Sequence, residues 1–486
     1  MKIDYHAILP ELILSGTLLL VLVVDVFLRR RRKWLAMPIS LAGVLATLGA
    51  VLSLVGDEPR ETFDGMFVVD DFAVLFKIFF LVVAVIVLLI SFRYFQDGRY
   101  YQGEYYFLLL TAFLGCLLMP SSRDLLMLFI SLEMISAPGF LIASFRKSDP
   151  RSNEGGLKFF LIGVLSTAVM LYGMSLIYGV TGGATRLDDV AAALGGLSGG
   201  KETLALAAIL FVVTGFAFKV SAVPFQFWAP DTYEGAPVPV AAFLAVASKA
   251  AGFAGLLQLM FLGFIGQADF WAPVFAAISI ATMTVGNLIA LQQRQAVRLL
   301  AYSGIAQAGY MLLPFALAGG SVATDERAQA AAITYILIYA VMNLGAFAVV
   351  VALSRESRGL LIDDFAGLMK RAPLLGVTMT VFMVSLAGIP PAGGFWAKFF
   401  VFTAAIERGG IGPWLAAAMV VNSVMALYYY LLIPRKMIFE EGDERPVLGS
   451  VLVRGVVAVA AFAIVAIFVF PDLLARAPQL STLAGQ

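Results

Sequence analysis

The chain has 486 residues, of which 61% are hydrophobic and 13% charged, with a net charge of +1 and a mean hydropathy of +0.93. This balance excludes a water-soluble enzyme and gives no sign of a nucleic-acid partner. One cysteine, Cys116, and one histidine, His6, exclude an internal disulfide, an iron–sulfur cluster, a haem or a zinc cage built by this chain alone.

A bilayer core requires roughly 20 apolar residues per spanning helix, and about fourteen such runs follow one another. They lie at 7–28, 34–55, 72–92, 104–119, 124–144, 157–178, 203–223, 238–262, 271–293, 298–318, 330–353, 374–401, 412–433 and 450–471. No segment between them is long enough for a soluble domain, so 1–486 reads as a single membrane domain. Within it, 1–103 holds three N-terminal helices, 104–262 and 271–433 hold five helices each, and 450–471 is a final helix. Two consecutive five-helix units are inverted relative to one another, an arrangement typical of secondary transporters. The expected fold is an all-α polytopic membrane protein of about fourteen transmembrane helices, with two inverted five-helix repeats and broken helices 7 and 12.

The first run is followed by Arg29-Arg30-Arg31-Arg32-Lys33, so it reads as a retained helix and not a signal peptide. Loops on that side, with Arg146, Lys147, Arg294, Arg355, Arg371, Arg435 and Lys436, carry about 19 basic residues against about 8 on the other. That asymmetry places the Arg29 side in the cytoplasm and, with an even number of spans, both termini outside. Asp25 and Arg29 are spaced for an interfacial ion pair. Lys77, in the third run, is expected to snorkel, and Cys116, in the fourth, to be an inert small apolar residue.

Four charges fall inside apolar runs: Glu133 in the fifth, Lys219 in the seventh, Lys249 in the eighth and Lys398 in the twelfth. Each costs about 2.5 to 3.5 kcal/mol near a bilayer centre, which marks an ion or proton path inside a bundle. Lys158 follows Glu154 by four residues, a spacing for a helix-surface pair, with a role in the path as the second reading. Asn343 and Asn422 suit either helix-to-helix hydrogen bonding or the path.

Two runs carry breaks, at Pro224 within VPFQFWAPDTYEGAPVPV and at Pro390-Pro391 within IPPAGG. Each proline removes the hydrogen bond to the carbonyl four residues earlier, on Val220, Leu386 and Ala387. Those carbonyls need other partners at membrane depth, and such backbone is tolerated only where protein or water covers it. There is no G-x-x-x-x-G-K-[ST] loop, so uphill transport would draw on a gradient or on another subunit.

Four stretches resemble the antiporter-like membrane subunits of proton-pumping NADH:quinone oxidoreductase, respiratory complex I: NEGGLKFFLIGVLSTAVMLYGMSLIYGVTG (153–182), FKVSAVPFQFWAPDTYEGAPVPVAAFLAVASK (218–249), LLAYSGIAQAGYMLL (299–313) and SLAGIPPAGGFWAKFFVF (385–402). A lysine at 398, where sibling M has a glutamate, and an end soon after the fourteenth run, without the lateral helix of sibling L, set it apart from both. The resemblance implies that Glu133 and Lys219 form the family's carboxylate–lysine pair, with Lys249 the central and Lys398 the terminal proton-carrying group. It implies no cofactor in this chain, with NADH, FMN, iron–sulfur clusters and quinone handled by partner subunits. The expected partners are the antiporter-like subunit M, small membrane subunits and lipid, in a bacterial inner membrane. Where the family often has a histidine on the tenth helix, this chain has Gln307, which cannot bind and release a proton near neutral pH. A relay from Lys249 to Lys398 must then use water or other polar groups, with Tyr302, Ser303, Gln307 and Tyr310 as candidates. Cation/proton antiporter subunits of the multi-subunit Mrp type have similar lysines and a similar SLAGIPP-like stretch, and 153–182 favours the first family.

Overall fold

The computed structural model describes residues 3–28, 30–97, 102–355, 359–442, 447 and 449–472. Helix dominates because in lipid the backbone must satisfy itself within each segment. Helices α1 (Leu9–Phe27) and α2 (Ala36–Leu52) form a hairpin that packs on α3 (Asp71–Asp97) and α4 (Gln102–Leu118). Between α2 and α3 the chain makes a small antiparallel ribbon, β1 (Arg60–Thr62) with β2 (Phe67–Val69), an addition to the all-helical expectation.

Next come α5 (Leu125–Ala143), capped at its start by the Asp124 side chain, and α6 (Pro150–Val180). The short α7 (Leu187–Gly195) buries Leu187, Val190 and Leu194, spaced to share one face. Helix α8 (Gly200–Val220) ends at the first break, and α9 (Trp228–Gly235) follows it. The eighth span is α10 (Val238–Phe243) and α11 (Lys249–Gln258), joined by a π turn at Leu244–Ser248 and followed by another at Leu259–Gly263.

The second half holds α12 (Ala268–Ala290), α13 (Ala296–Leu312), α14 (Val322–Leu353) and the one-turn α15 (Leu368–Arg371). After these come α16 (Pro373–Ala387), α17 (Gly394–Arg408), α18 (Gly412–Phe439) and α19 (Val451–Val469). Among the described residues, 13 helices are long and apolar enough to cross a membrane. The twelfth run supplies no such helix because the Pro390-Pro391 break divides it into α16 and α17, each of 15 residues.

The span Val238–Gly263 is buried throughout, and Ala296–Leu317 and Val322–Leu353 are nearly so. The apolar windows of α1, α2, α6, α18 and α19 are only 33–39% buried, so these helices form the outer wall of the bundle. The central position of the eighth, tenth and eleventh spans places Lys249 and Gln307 away from lipid.

Lys77 does not snorkel. It is 0% exposed, pairs with Glu11 on α1 at 2.9 Å and lies 4.8 Å from the Phe67 ring centre. The ammonium enters α3 two turns from its start, too deep for the stem to reach an interface, and a carboxylate on the neighbouring helix meets it instead. Removing one partner of such a pair strands the other charge, at a cost of about 3 to 5 kcal/mol, whereas replacing both by apolar groups is often neutral. Glu11→Gln should therefore lower the thermal midpoint of the assembled protein, and Glu11→Leu combined with Lys77→Met should recover most of the loss. Equal midpoints for Glu11→Gln and the parent would show that the pair contributes nothing.

Arg29, the expected partner of Asp25, lies outside the described residues; Asp25 pairs with Lys33 at 2.8 Å.

Candidate functional site

The second break answers the demand its prolines create. Helix α16 ends at Ala387, with Gly388 in the left-handed region at φ 83° as its cap. The Gln307 amide donates to the freed Leu386 carbonyl at 3.0 Å, and the Lys398 ammonium donates to the freed Ala387 carbonyl at 2.8 Å. The Lys398 nitrogen also lies 4.7 Å from the centre of the Tyr310 ring. Lys398 is buried, so it does not snorkel. The loop is anchored by Gly394 N–H to Ser385 Oγ at 3.0 Å and by Gly393 N–H to the Ile464 carbonyl of α19 at 3.1 Å.

Gln307 is fully engaged. Its amide nitrogen also donates to the Tyr430 hydroxyl at 2.9 Å, and its carbonyl oxygen accepts from Tyr335 at 2.5 Å. Tyr430 is joined to Ser303 at 2.6 Å. One residue on, the Gly304 carbonyl accepts from the Lys249 ammonium at 2.7 Å. Lys249 is buried, makes no ion pair among the described residues, and follows directly on a π turn, a helix defect frequent at functional sites. Polar groups thus run from Lys249 past Ser303, Tyr430 and Gln307 to the Leu386 and Ala387 carbonyls and Lys398.

Tyr310 lies beside this line, 3.5 Å from both Asn287 and Ser423. Asn287 also contacts Asn422 at 3.2 Å and Tyr429 at 2.9 Å, which makes Asn422 part of a cross-helix cluster. Asn343 donates to Tyr339 at 2.9 Å on its own helix. Tyr302 is half-buried and, among the described residues, makes no side-chain hydrogen bond to the line.

In the first half, Glu133 and Lys219 form no direct ion pair among the described residues. The Lys219 ammonium donates to Ser136 at 2.9 Å, and one Glu133 oxygen is shielded from solvent with no hydrogen-bond partner. Ser136 is three residues from Glu133 on α5, so the ammonium sits over the same face, within one turn of the carboxylate. Lys219 occupies the last turn of α8, before the Pro224 break, where Ser221 takes φ 61°. The Trp228 ring nitrogen covers the Phe218 carbonyl at 3.2 Å. Both breaks contain a cis X-Pro peptide, Val223-Pro224 and Pro390-Pro391.

Lys158 pairs with Glu154 at 2.7 Å as its spacing predicts, and also with Asp231 at 2.6 Å. Arg298 of α13 reaches Asp231 at 2.6 Å and Glu234 at 2.8 Å, so these charges join α6, α9 and α13. Burial pushes the Asp231 carboxyl up, but hydrogen bonds from Lys158 and Arg298 outweigh it and hold the group below the usual carboxylate range. Another buried cluster escapes the sequence reading: Arg123 bonds Asp70 at 2.5 Å and the Gln258 side chain.

Residues 122–426 match the family model described as NADH:quinone oxidoreductase/Mrp antiporter, TM. The NADH-quinone oxidoreductase subunit N of Trichlorobacter lovleyi is 40% identical over 91% of this chain and 89% of its own. A chain of respiratory complex I from Thermus thermophilus superposes with a TM-score of 0.79 at 29% identity, covering 96% of this chain and 98% of that one. A chain of the Mrp complex from Dietzia sp. has a TM-score of 0.85 at 20% identity, over 99% and 97% of the two chains, a likeness of fold. The buried lysines and the two helix breaks thus sit in a chain that belongs to the NADH:quinone oxidoreductase/Mrp antiporter membrane family, among the relatives named subunit N.

Proposed function

We propose that this chain moves protons through Glu133, Lys219, Lys249 and Lys398 as a membrane subunit of an NADH:quinone oxidoreductase. Redox chemistry on NADH, FMN, iron–sulfur clusters and quinone belongs to partner subunits, subunit M and small membrane subunits being the expected neighbours. The basic-loop asymmetry puts both termini on the outer side, which is the periplasmic side in the bacterial inner membrane expected for this chain. The two five-helix units, 104–262 and 271–433, are read as inverted repeats because each is broken in its fourth span. Their lysines are not equivalent in detail, since Lys219 precedes its break and Lys398 follows its own.

The observation that carries the reading is the line of polar groups between Lys249 and Lys398. An ammonium has three donors. One on Lys249 is held by Gly304 and one on Lys398 by Ala387, which leaves donors on each for water or a neighbouring acceptor. Hydroxyls on Ser303 and Tyr430 both donate and accept, so they can pass a proton, while Gln307 fixes Tyr430 in place. In the first half, the carboxylate of Glu133 within a turn of the Lys219 ammonium makes the charge of each depend on the other. A change there alters the field at the next lysine, and the charge state passes laterally.

Lys398→Ala should lower NADH-driven proton uptake at least about fivefold in vesicles holding the complete complex, with the subunits still assembled on a native gel. Lys398→Glu should retain part of the activity, because a carboxylate also exchanges protons. Uptake at the parent rate in assembled Lys398→Ala complex would mean that protons do not reach Lys398.

A further inference from the structure

The Lys249 ammonium is held by the Gly304 carbonyl at 2.7 Å, and a carbonyl accepts a hydrogen bond but carries no hydrogen to hand on. A proton that leaves Lys249 therefore needs a hydroxyl within reach. The Tyr339 hydroxyl of α14 is placed for this. A methyl built on Gly304 would sit 3.0 Å from the Tyr339 oxygen and 3.5 Å from the Lys249 nitrogen, so both groups close on the same small space, and glycine leaves it open to them. Tyr339 is buried, and Asn343, one turn on, donates to its oxygen at 2.9 Å. That is the one side-chain hydrogen bond Asn343 makes among the described residues, and its amide oxygen is buried without a partner. An amide bonded only to its own helix does not fasten one helix to another, and leaving half of it unpaired costs stability. Its effect falls on the hydroxyl: one lone pair of Tyr339 is occupied, and the other lone pair and the hydrogen are left for transfer. Tyr335, one turn earlier on α14, bonds Gln307, so this face of the helix is turned toward the polar line.

We propose, resting on the reading of Lys249 as a proton carrier, that Tyr339 is the side chain through which Lys249 exchanges its proton, with Asn343 as its positioning residue. In discharge, an N–H bond of Lys249 breaks and an O–H bond forms on Tyr339. In the same concerted shift, the hydrogen that the phenol already held moves on to the hydroxyl pair of Ser303 and Tyr430, the next groups on the line. Tyr339 ends neutral with one hydrogen as before, and the lysine is left as a neutral amine.

The test uses the complete complex in vesicles. Tyr339→Phe should lower NADH-driven proton uptake about tenfold, and Gly304→Ala, which keeps both groups and sets a methyl against them, about fivefold. Tyr339→Phe also strands the Asn343 amide, so it should lower the thermal midpoint, and adding Asn343→Leu should restore the midpoint while uptake stays low. Uptake that recovers together with the midpoint would make Tyr339 a packing residue and overturn the proposal, as would parent-rate uptake in assembled Tyr339→Phe complex. Should Tyr339→Phe fail to assemble, Gly304→Ala decides, and parent-rate uptake there overturns the proposal. Lys249→Met, measured beside them, separates two failures. Blocked uptake with Lys249→Met and parent-rate uptake with Tyr339→Phe removes Tyr339 alone, whereas parent-rate uptake in both removes the path through Lys249 and the proposal with it.

Discussion

Lys249→Met is expected to reduce NADH oxidation and proton pumping together, by about a hundredfold where proton transfer limits turnover. The substitution nearly preserves side-chain length and apolar stem, so the wholly buried eighth span should still pack. What it removes is the ammonium and its donor to the Gly304 carbonyl. A tightly coupled pump cannot turn over past a blocked proton site, so both rates should fall by the same factor. Lys249→Arg should not restore them, since a guanidinium keeps its proton at any working pH and needs room for a planar fork. Near-parent pumping by assembled Lys249→Met complex would remove Lys249 from the path.

Gln307→Leu should slow turnover about tenfold or more and also lower the thermal midpoint. Leucine strands three buried partners at once, the Leu386 carbonyl and the hydroxyls of Tyr430 and Tyr335. An orphaned buried polar group costs about 1 to 3 kcal/mol, so the loss is a shared one of structure and path. Gln307→His separates the two effects. Imidazole has two nitrogens against three partners, so it should keep most of the activity and lose part of the stability. Tyr430→Phe breaks the line between Ser303 and Gln307 while leaving the Leu386 contact, and should slow turnover with a smaller change in midpoint. Parent-rate pumping by both Gln307→Leu and Tyr430→Phe would place the route elsewhere.

The spans were legible because each is a separate run of apolar residues, and the breaks because proline removes a donor at a known offset. From that offset the sequence identifies Leu386 and Ala387 as carbonyls in need of partners, but it could not say which side chains meet them. Those partners come from 79 residues upstream and 11 residues downstream. Tyr430 sits in an LYYYLL run that reads as lipid-facing or packing surface, and only the rotation of α18 turns its hydroxyl toward Ser303. Lys77 and Glu11 are 66 positions apart, so the buried pair was read as one snorkelling lysine and an unremarked helix start. Asp231 and Arg298 were hidden for the same reason, in a loop-like stretch and at a helix entrance. Glu133 and Lys219 were legible as buried charges, but the Ser136 hydroxyl that takes the Lys219 ammonium in place of a direct pair was not.

The adjacent carbonyls of Leu386 and Ala387 are fastened in two different ways. Gln307 holds the first with a neutral amide whose strength does not change with protonation. Lys398 holds the second with an ammonium, and a charge-assisted hydrogen bond is roughly twice as strong as a neutral one. When Lys398 gives up its proton, the grip on Ala387 weakens and the grip on Leu386 stays as it was. The end of α16 therefore has one permanent tether and one that slackens with each discharge, so an electrical event at Lys398 is also a change in the stiffness of the joint between α16 and α17.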